Sequence, residues 1–162
     1  LRPAGKEVGM EIKETAAQRV LSCQRRLSIA EIRLVAAEVT PVIAAEAERL
    51  GLVVDGPWTF IAHGLPKDGH TKFDLRFCLP VRGEAGAVDG DFDLLDLEPI
   101  MVAASTYQGP LRSLFTRGYR PLVTEIENSR HVFSGESREI YHDWGRDGAG
   151  YQKIEIQFGL AR

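Results

Sequence analysis

Apolar positions along this chain switch between two periods, and the switch occurs twice in the same order. From Glu11 to Arg25 an apolar run centred on Val20-Leu21-Ser22-Cys23 predicts a strand. Ser28 follows with Glu31 three residues on, a capping box in which each residue satisfies an orphan N–H of the other. Ile29, Ile32, Val35, Ala36, Val39, Ile43, Ala47 and Leu50 then recur at threes and fours, predicting one helix that Gly51 ends. Pro41 removes a ladder donor inside it and is expected to kink it. Trp58, Phe60 and Ala62 alternate on a short strand, Gly64 to Gly69 makes a turn, and Phe73, Leu75, Phe77, Leu79 and Val81 alternate on one face of the next.

The order then repeats. Gly83 to Gly90 reads as a connection and Ile100 to Ala104 as a strand. Gly109-Pro110 places a proline at the first helical position, and Leu111, Leu114, Phe115, Leu122 and Ile126 continue at helical spacing. Asn128 to Gly135 ends that helix. Arg138 to His142 is expected as a strand, Asp143 to Gly150 as a hairpin loop containing Asp147-Gly148, and Ile154 to Phe158 as the closing strand. At a constant offset of 79 residues, Phe60-Ile61-Ala62-His63 overlies Glu139-Ile140-Tyr141-His142, and Leu75, Phe77, Leu79 and Val81 overlie Ile154, Ile156, Phe158 and Leu160. Ile32, Val35 and Ile43 overlie Leu111, Leu114 and Leu122. The pattern predicts an α+β domain over 1–162, with repeat 1 over about 10–81 and repeat 2 over about 92–160. Each repeat is strand–helix–strand–strand, with antiparallel sheet, both helices on one face and a pocket between the repeats. Glu139 is where the repeat breaks, a carboxylate in the place of Phe60.

Charge narrows the function. The net charge of −3 comes without a basic block, so counterion release offers no grip on nucleic acid and direct DNA binding is not expected. No apolar run approaches a membrane span. Leu1 to Lys6 lacks the apolar core of a signal peptide, Met10 is a candidate start, and a cytoplasmic location follows as the expectation. Cys23 and Cys78 have no CxxC neighbour and are expected as buried thiols. His63, His70, His131 and His142 are too scattered for a zinc set, no phosphate-cradling glycine loop follows a strand, and neither metal nor cofactor is expected.

Gly109-Pro110-Leu111 at the second helix, Ser137-Arg138-Glu139-Ile140-Tyr141, and a last strand ending Phe158-Gly159-Leu160 together resemble the GyrI-like superfamily. That family includes effector-binding domains of AraC- and MerR-class bacterial transcription regulators. Its usual Gly-Pro-Tyr has Leu111 for Tyr here, and Gly159 stands where the family's closing Pro does, although Leu79-Pro80-Val81 keeps that ending in the first half. The resemblance runs from about Met10 to Leu160. It implies a pocket for lipophilic, often cationic small molecules, with Glu139 at its floor, as in multidrug-binding sensors. Tyr141, Trp58, Phe60, Tyr107 and Phe158 are the candidate lining, and Trp144 a candidate lid.

Physics points the same way. An unpaired carboxylate among apolar side chains is costly, a ligand cation relieves that cost, and aromatic faces add attraction. The plain reading of Glu139 is a solvated strand residue paired with Arg138 or Lys153. The family also contains hydrolases of strained electrophiles, for which Glu139 would be the general base beside Tyr141 or Trp58, and stand-alone proteins that inhibit a macromolecule such as gyrase. A helix-turn-helix is absent from these 162 residues, and the expected DNA-binding partner is a separate or fused domain.

Overall fold

The alternating and helical patterns resolve into nine strands and two main helices among the described residues. The computed structural model describes residues 9–143 and 151–161. The strands are β1 (Glu11–Glu14), β2 (Gln18–Leu27), β3 (Val53–Val54), β4 (Thr59–His63), β5 (Phe73–Arg82), β6 (Asp93–Leu97), β7 (Met101–Pro110), β8 (Phe133–Asp143) and β9 (Tyr151–Leu160). The helices are α1 (Ile32–Arg49) and α2 (Arg120–Glu127). The fold is α+β with antiparallel sheet, as the pattern predicts. Among the described residues no helix is long and apolar enough to cross a membrane. The chain divides into two units, one of residues 16–99 and one of the residues up to Thr15 together with Ile100 onward.

In the unit of residues 16–99 the strand order is β4-β5-β2-β6. β2 and β5 are buried along most of their length because α1 packs over one side of them. Leu21, Cys23, Phe77 and Leu79 are all at most 3% exposed. Val20, Ile61 and Cys78 form a second small core with Leu95 and Leu97. Ser28 and Glu31 make the expected capping box: the Ser28 N–H donates to the Glu31 carboxylate at 2.9 Å, and Lys72 donates to the same oxygen at 2.7 Å. α1 continues through Pro41 to Arg49. Both cysteines are buried. They occupy opposite faces of the β2–β5 pair, since Cys23 lies opposite Phe77 and Cys78 opposite Ser22.

In the other unit the order is β1-β7-β9-β8. Its helical segment has three parts: a 3₁₀ turn (Leu111–Ser113), a π turn (Leu114–Tyr119) and α2. Gly118 explains the irregularity. A Cβ there would lie 3.0 Å from Ile156, 3.2 Å from Tyr107 and 3.3 Å from Leu114. The widened turn therefore seats bare backbone directly on the sheet.

Several expectations need correction. The strand from Glu11 to Arg25 is two strands, and β1 leaves to pair with β7. Thr15 fixes the break, its N–H donating to the Ile100 carbonyl at 2.8 Å and its hydroxyl accepting from the Ile100 N–H at 2.9 Å. β3 and β6 were not expected, because a two-residue strand and the Asp-rich segment Asp93–Leu97 carry little periodic signal. β7 runs on to Pro110, which is an extended cap (ψ 150°) and not the first helical residue. The 79-residue offset holds where it concerns the last strands. Phe60 lies opposite Phe77, and Glu139 opposite Ile156. Nearer the start it is 82: Ser28 and Pro110 are both caps, and Val20 and Val102 face Pro80 and Gly159. Ile32 and Val35 are thus not the counterparts of Leu111 and Leu114. The shorter, wider second helix absorbs the three-residue difference.

Candidate functional site

β8 alternates Ser137, Glu139 and Tyr141 onto one face. Across the ladder that face continues through Phe158, Ile156 and Ile154 of β9, then Ala103, Ser105 and Tyr107 of β7. Gly118 of the π turn rests on Ile156 and Tyr107, so the helical segment covers this same face. Ile154 and Ile156 are fully buried. Glu139 therefore stands in an apolar row, half-buried, its carboxylate surrounded by protein.

Two phenols hold it. The Tyr119 hydroxyl donates to Oε2 and the Tyr141 hydroxyl to Oε1, the latter at 2.5 Å. Among the described residues no Lys, Arg or His pairs with Glu139; Arg138, on the opposite face, pairs with Glu136 at 2.6 Å. Burial raises the Glu139 carboxyl above its ordinary value, and the two phenol donors offset only part of that. Burial beside the carboxylate also holds both phenols well above the usual tyrosine range, so they stay protonated as donors. Aromatic rings flank the group. Tyr119 stacks on Phe115 at 4.9 Å and meets Phe158 edge-on at 5.8 Å, and Phe158 meets Phe133 at 5.4 Å. Phe115 and Phe133 are exposed, so a row of rings leads from the surface to the recessed carboxylate.

Of the residues singled out from sequence, Glu139, Tyr141 and Phe158 come together here. Tyr107 shares the sheet face but directs its hydroxyl to the Pro110 carbonyl at 2.6 Å, its ring lying across Gly109. Gly109 has φ +154° and no room for a Cβ, which would sit 2.6 Å from that hydroxyl. Trp58 and Phe60 belong to the unit of residues 16–99, where Phe60 packs edge-on against Phe77 at 4.8 Å. Trp144 lies outside the described residues. Tyr119 is the residue sequence reasoning missed. Its signal was faint: a tyrosine on a buried helical stripe, whose hydroxyl needs a partner.

The opposite face of β8 and β9 is polar. Glu155 accepts from Lys13 at 2.6 Å, from Gln157 at 2.9 Å and contacts His142 at 3.0 Å. Burial opposes its ionisation, but these partners outweigh burial and bring its carboxyl to about 2. One pair of strands thus carries two carboxylates shifted in opposite directions.

No family model matches the sequence, and no curated protein matches it. Solved structures do. The EcmrR C-terminal domain superposes with TM-score 0.78 at 20% identity, over 96% of this chain and 99% of that one. EcmrR in its DNA complex superposes with TM-score 0.79 at 20% identity, over 94% of this chain, which spans 57% of the EcmrR chain. The structure of SAV2435 bound to tetraphenylphosphonium gives TM-score 0.63 at 15% identity, over 94% and 93% of the two chains. The chain shares the fold of these domains, the architecture that the GyrI-like resemblance implies. At such identities the likeness carries the architecture alone. Against the GyrI-like pattern, Gly159 has a local cause: a Cβ there would fall 2.5 Å from the Ser134 hydroxyl, because the irregular start of β8 folds across it.

Proposed function

We propose that this chain binds a lipophilic, cationic small molecule as an effector-binding domain, in the cytoplasm, and that a separate or fused DNA-binding domain reads its state. The observation that carries this reading is Glu139: a recessed carboxylate without a cation among the described residues, held by two phenols and flanked by aromatic rings. Two hydrogen bonds relieve part of the cost of burying its charge, and a positively charged ligand supplies the remainder. The rings add dispersion and cation–π attraction. The likeness to SAV2435 with tetraphenylphosphonium and to the EcmrR C-terminal domain supports the ligand class and the regulatory setting. A general-base role for Glu139 is less favoured, because both its oxygens already accept from phenols, which lowers their readiness to take a proton from water.

The test is calorimetric titration with tetraphenylphosphonium and with neutral triphenylphosphine oxide. Glu139→Gln keeps the shape and removes the charge. It should weaken the cation by about 1–3 kcal/mol, the range for losing an interaction with a charged group, and the neutral compound by less. Equal losses would mean that Glu139 is not an electrostatic anchor.

A further inference from the structure

The two helices differ in what they show to solvent. α2 buries Leu122 and Ile126 and exposes Arg120, Thr124, Glu125 and Glu127, an ordinary amphipathic arrangement. α1 buries Ala36, Val39, Ile43 and Ala47 on its inner side. Its outer side exposes Leu34 (67%), Ala37, Pro41, Val42 (47%), Ala44 and Ala45, with Glu38 as the carboxylate at their edge. Helical spacing gathers Leu34, Ala37, Pro41, Ala44 and Ala45 into one stripe, which ends at Glu48. β3, which packs against α1, adds exposed Val53 and Val54. An outer side this largely apolar, with the Glu38 carboxylate at one edge of the stripe, has the pattern of a helix covered on both sides.

The charges at the ends of the stripe say what covers it. Arg33 stands near its beginning and Glu48 at its end; both are exposed, and neither makes an ion pair among the described residues. A second α1 laid antiparallel brings Arg33 of each copy to Glu48 of the other, with Ala37 facing Ala44 and Thr40 facing Pro41. Small side chains along the middle let the two backbones approach closely. A parallel arrangement would set Arg33 against Arg33. The stripe is thus self-complementary in one direction only, as a two-fold interface requires.

We infer that the outer face of α1 is the interface of a symmetric dimer, in which α1 packs antiparallel against α1 of a second copy and two Arg33–Glu48 pairs fix the register. The inference is independent of the ligand reading, since it uses no residue of the Glu139 site.

Sedimentation velocity of the chain from micromolar to millimolar concentration tests it. A concentration-dependent monomer–dimer equilibrium is expected. Ala37→Arg at the centre of the stripe should weaken it more than about tenfold, as at a buried interface position. Arg33→Glu or Glu48→Arg alone should weaken it about three- to tenfold, and the two combined should restore it to within about twofold, because the pair is then exchanged and not lost. All these positions are exposed, so circular dichroism and thermal midpoints should stay close to those of the parent. A monomer at every concentration overturns the inference. So does a dimer indifferent to Ala37→Arg, or a double reversal no better than either single one.

Discussion

The two units run the same secondary structure to different ends. In one, Phe60 faces Phe77 across β4 and β5, and the pair closes an apolar core under a regular eighteen-residue helix. In the other, the matching register holds Glu139 opposite Ile156, under a helical segment of 3₁₀, π and α turns. The carboxylate and the irregular helix belong together. A Cβ at position 118 of the widened turn would crowd Ile156 and Tyr107, and the next residue, Tyr119, brings its hydroxyl to Glu139. π turns concentrate at functional sites because they re-aim one side chain at the cost of local regularity. The comparison teaches that one changed strand position and the turn above it are enough to give a repeated pattern a recessed, phenol-held carboxylate.

The sharpest way to break this comparison is to move the carboxylate to the other unit. Phe60→Glu would bury a charge beside Phe77 without the phenol donors that hold Glu139. It should destabilise the protein by about 3–5 kcal/mol in urea unfolding, the scale of an uncompensated buried charge. A loss below about 1 kcal/mol would show that position 60 is as permissive as position 139, and the contrast between the units would fail.

A smaller effect is expected from Tyr119→Phe. It removes one donor from Glu139 while keeping the ring against Phe115 and Phe158. Stability at neutral pH should fall by about 1.5–3 kcal/mol, as for a lost hydrogen bond to a charged group, and the carboxyl should titrate higher still. Carbonyl-region infrared titration of Glu139, with Glu139→Gln as the blank, would read that shift. No upward movement would remove Tyr119 from the site.

Smaller again are the pH slopes, and they should have opposite signs. Glu139 has a raised pKa, so between the ordinary glutamate value and its own the folded chain keeps a proton that the unfolded chain has lost. Stability therefore falls as pH rises through that window, and Glu139→Gln should flatten the slope. Glu155 is depressed from 4.5 to about 2, so its contribution is complete above the unfolded value and is lost as pH falls from about 4.5 towards 2. Glu155→Gln should remove that part of the acid transition. Slopes of the same sign would mean that the two faces of β8 and β9 do not differ electrostatically. Least of all, Ser28→Ala should cost about 1 kcal/mol, because the 3₁₀ turn Ile29–Glu31 that leads into α1 loses its capping box, whereas Pro110, the cap of the other helical segment, makes no side-chain hydrogen bond to lose.

What the sequence determined by itself is the phase of each element and the position that breaks the repeat. Side-chain direction recurs every two residues on a strand and every three to four on a helix, so burial of one face is written locally. That is why the β4, β5, β8 and β9 registers, the capping box at Ser28 and the place of Glu139 could all be read from spacing. Only the tertiary structure decided where β1 pairs, that Asp93–Leu97 forms an edge strand, and that Tyr119 completes the carboxylate's partners. Each of those depends on residues far apart in the chain, Thr15 with Ile100, Arg19 with Asp96, Tyr119 with Glu139. Long-range pairing is fixed by how strands and turns pack together, and a periodic pattern carries no record of it.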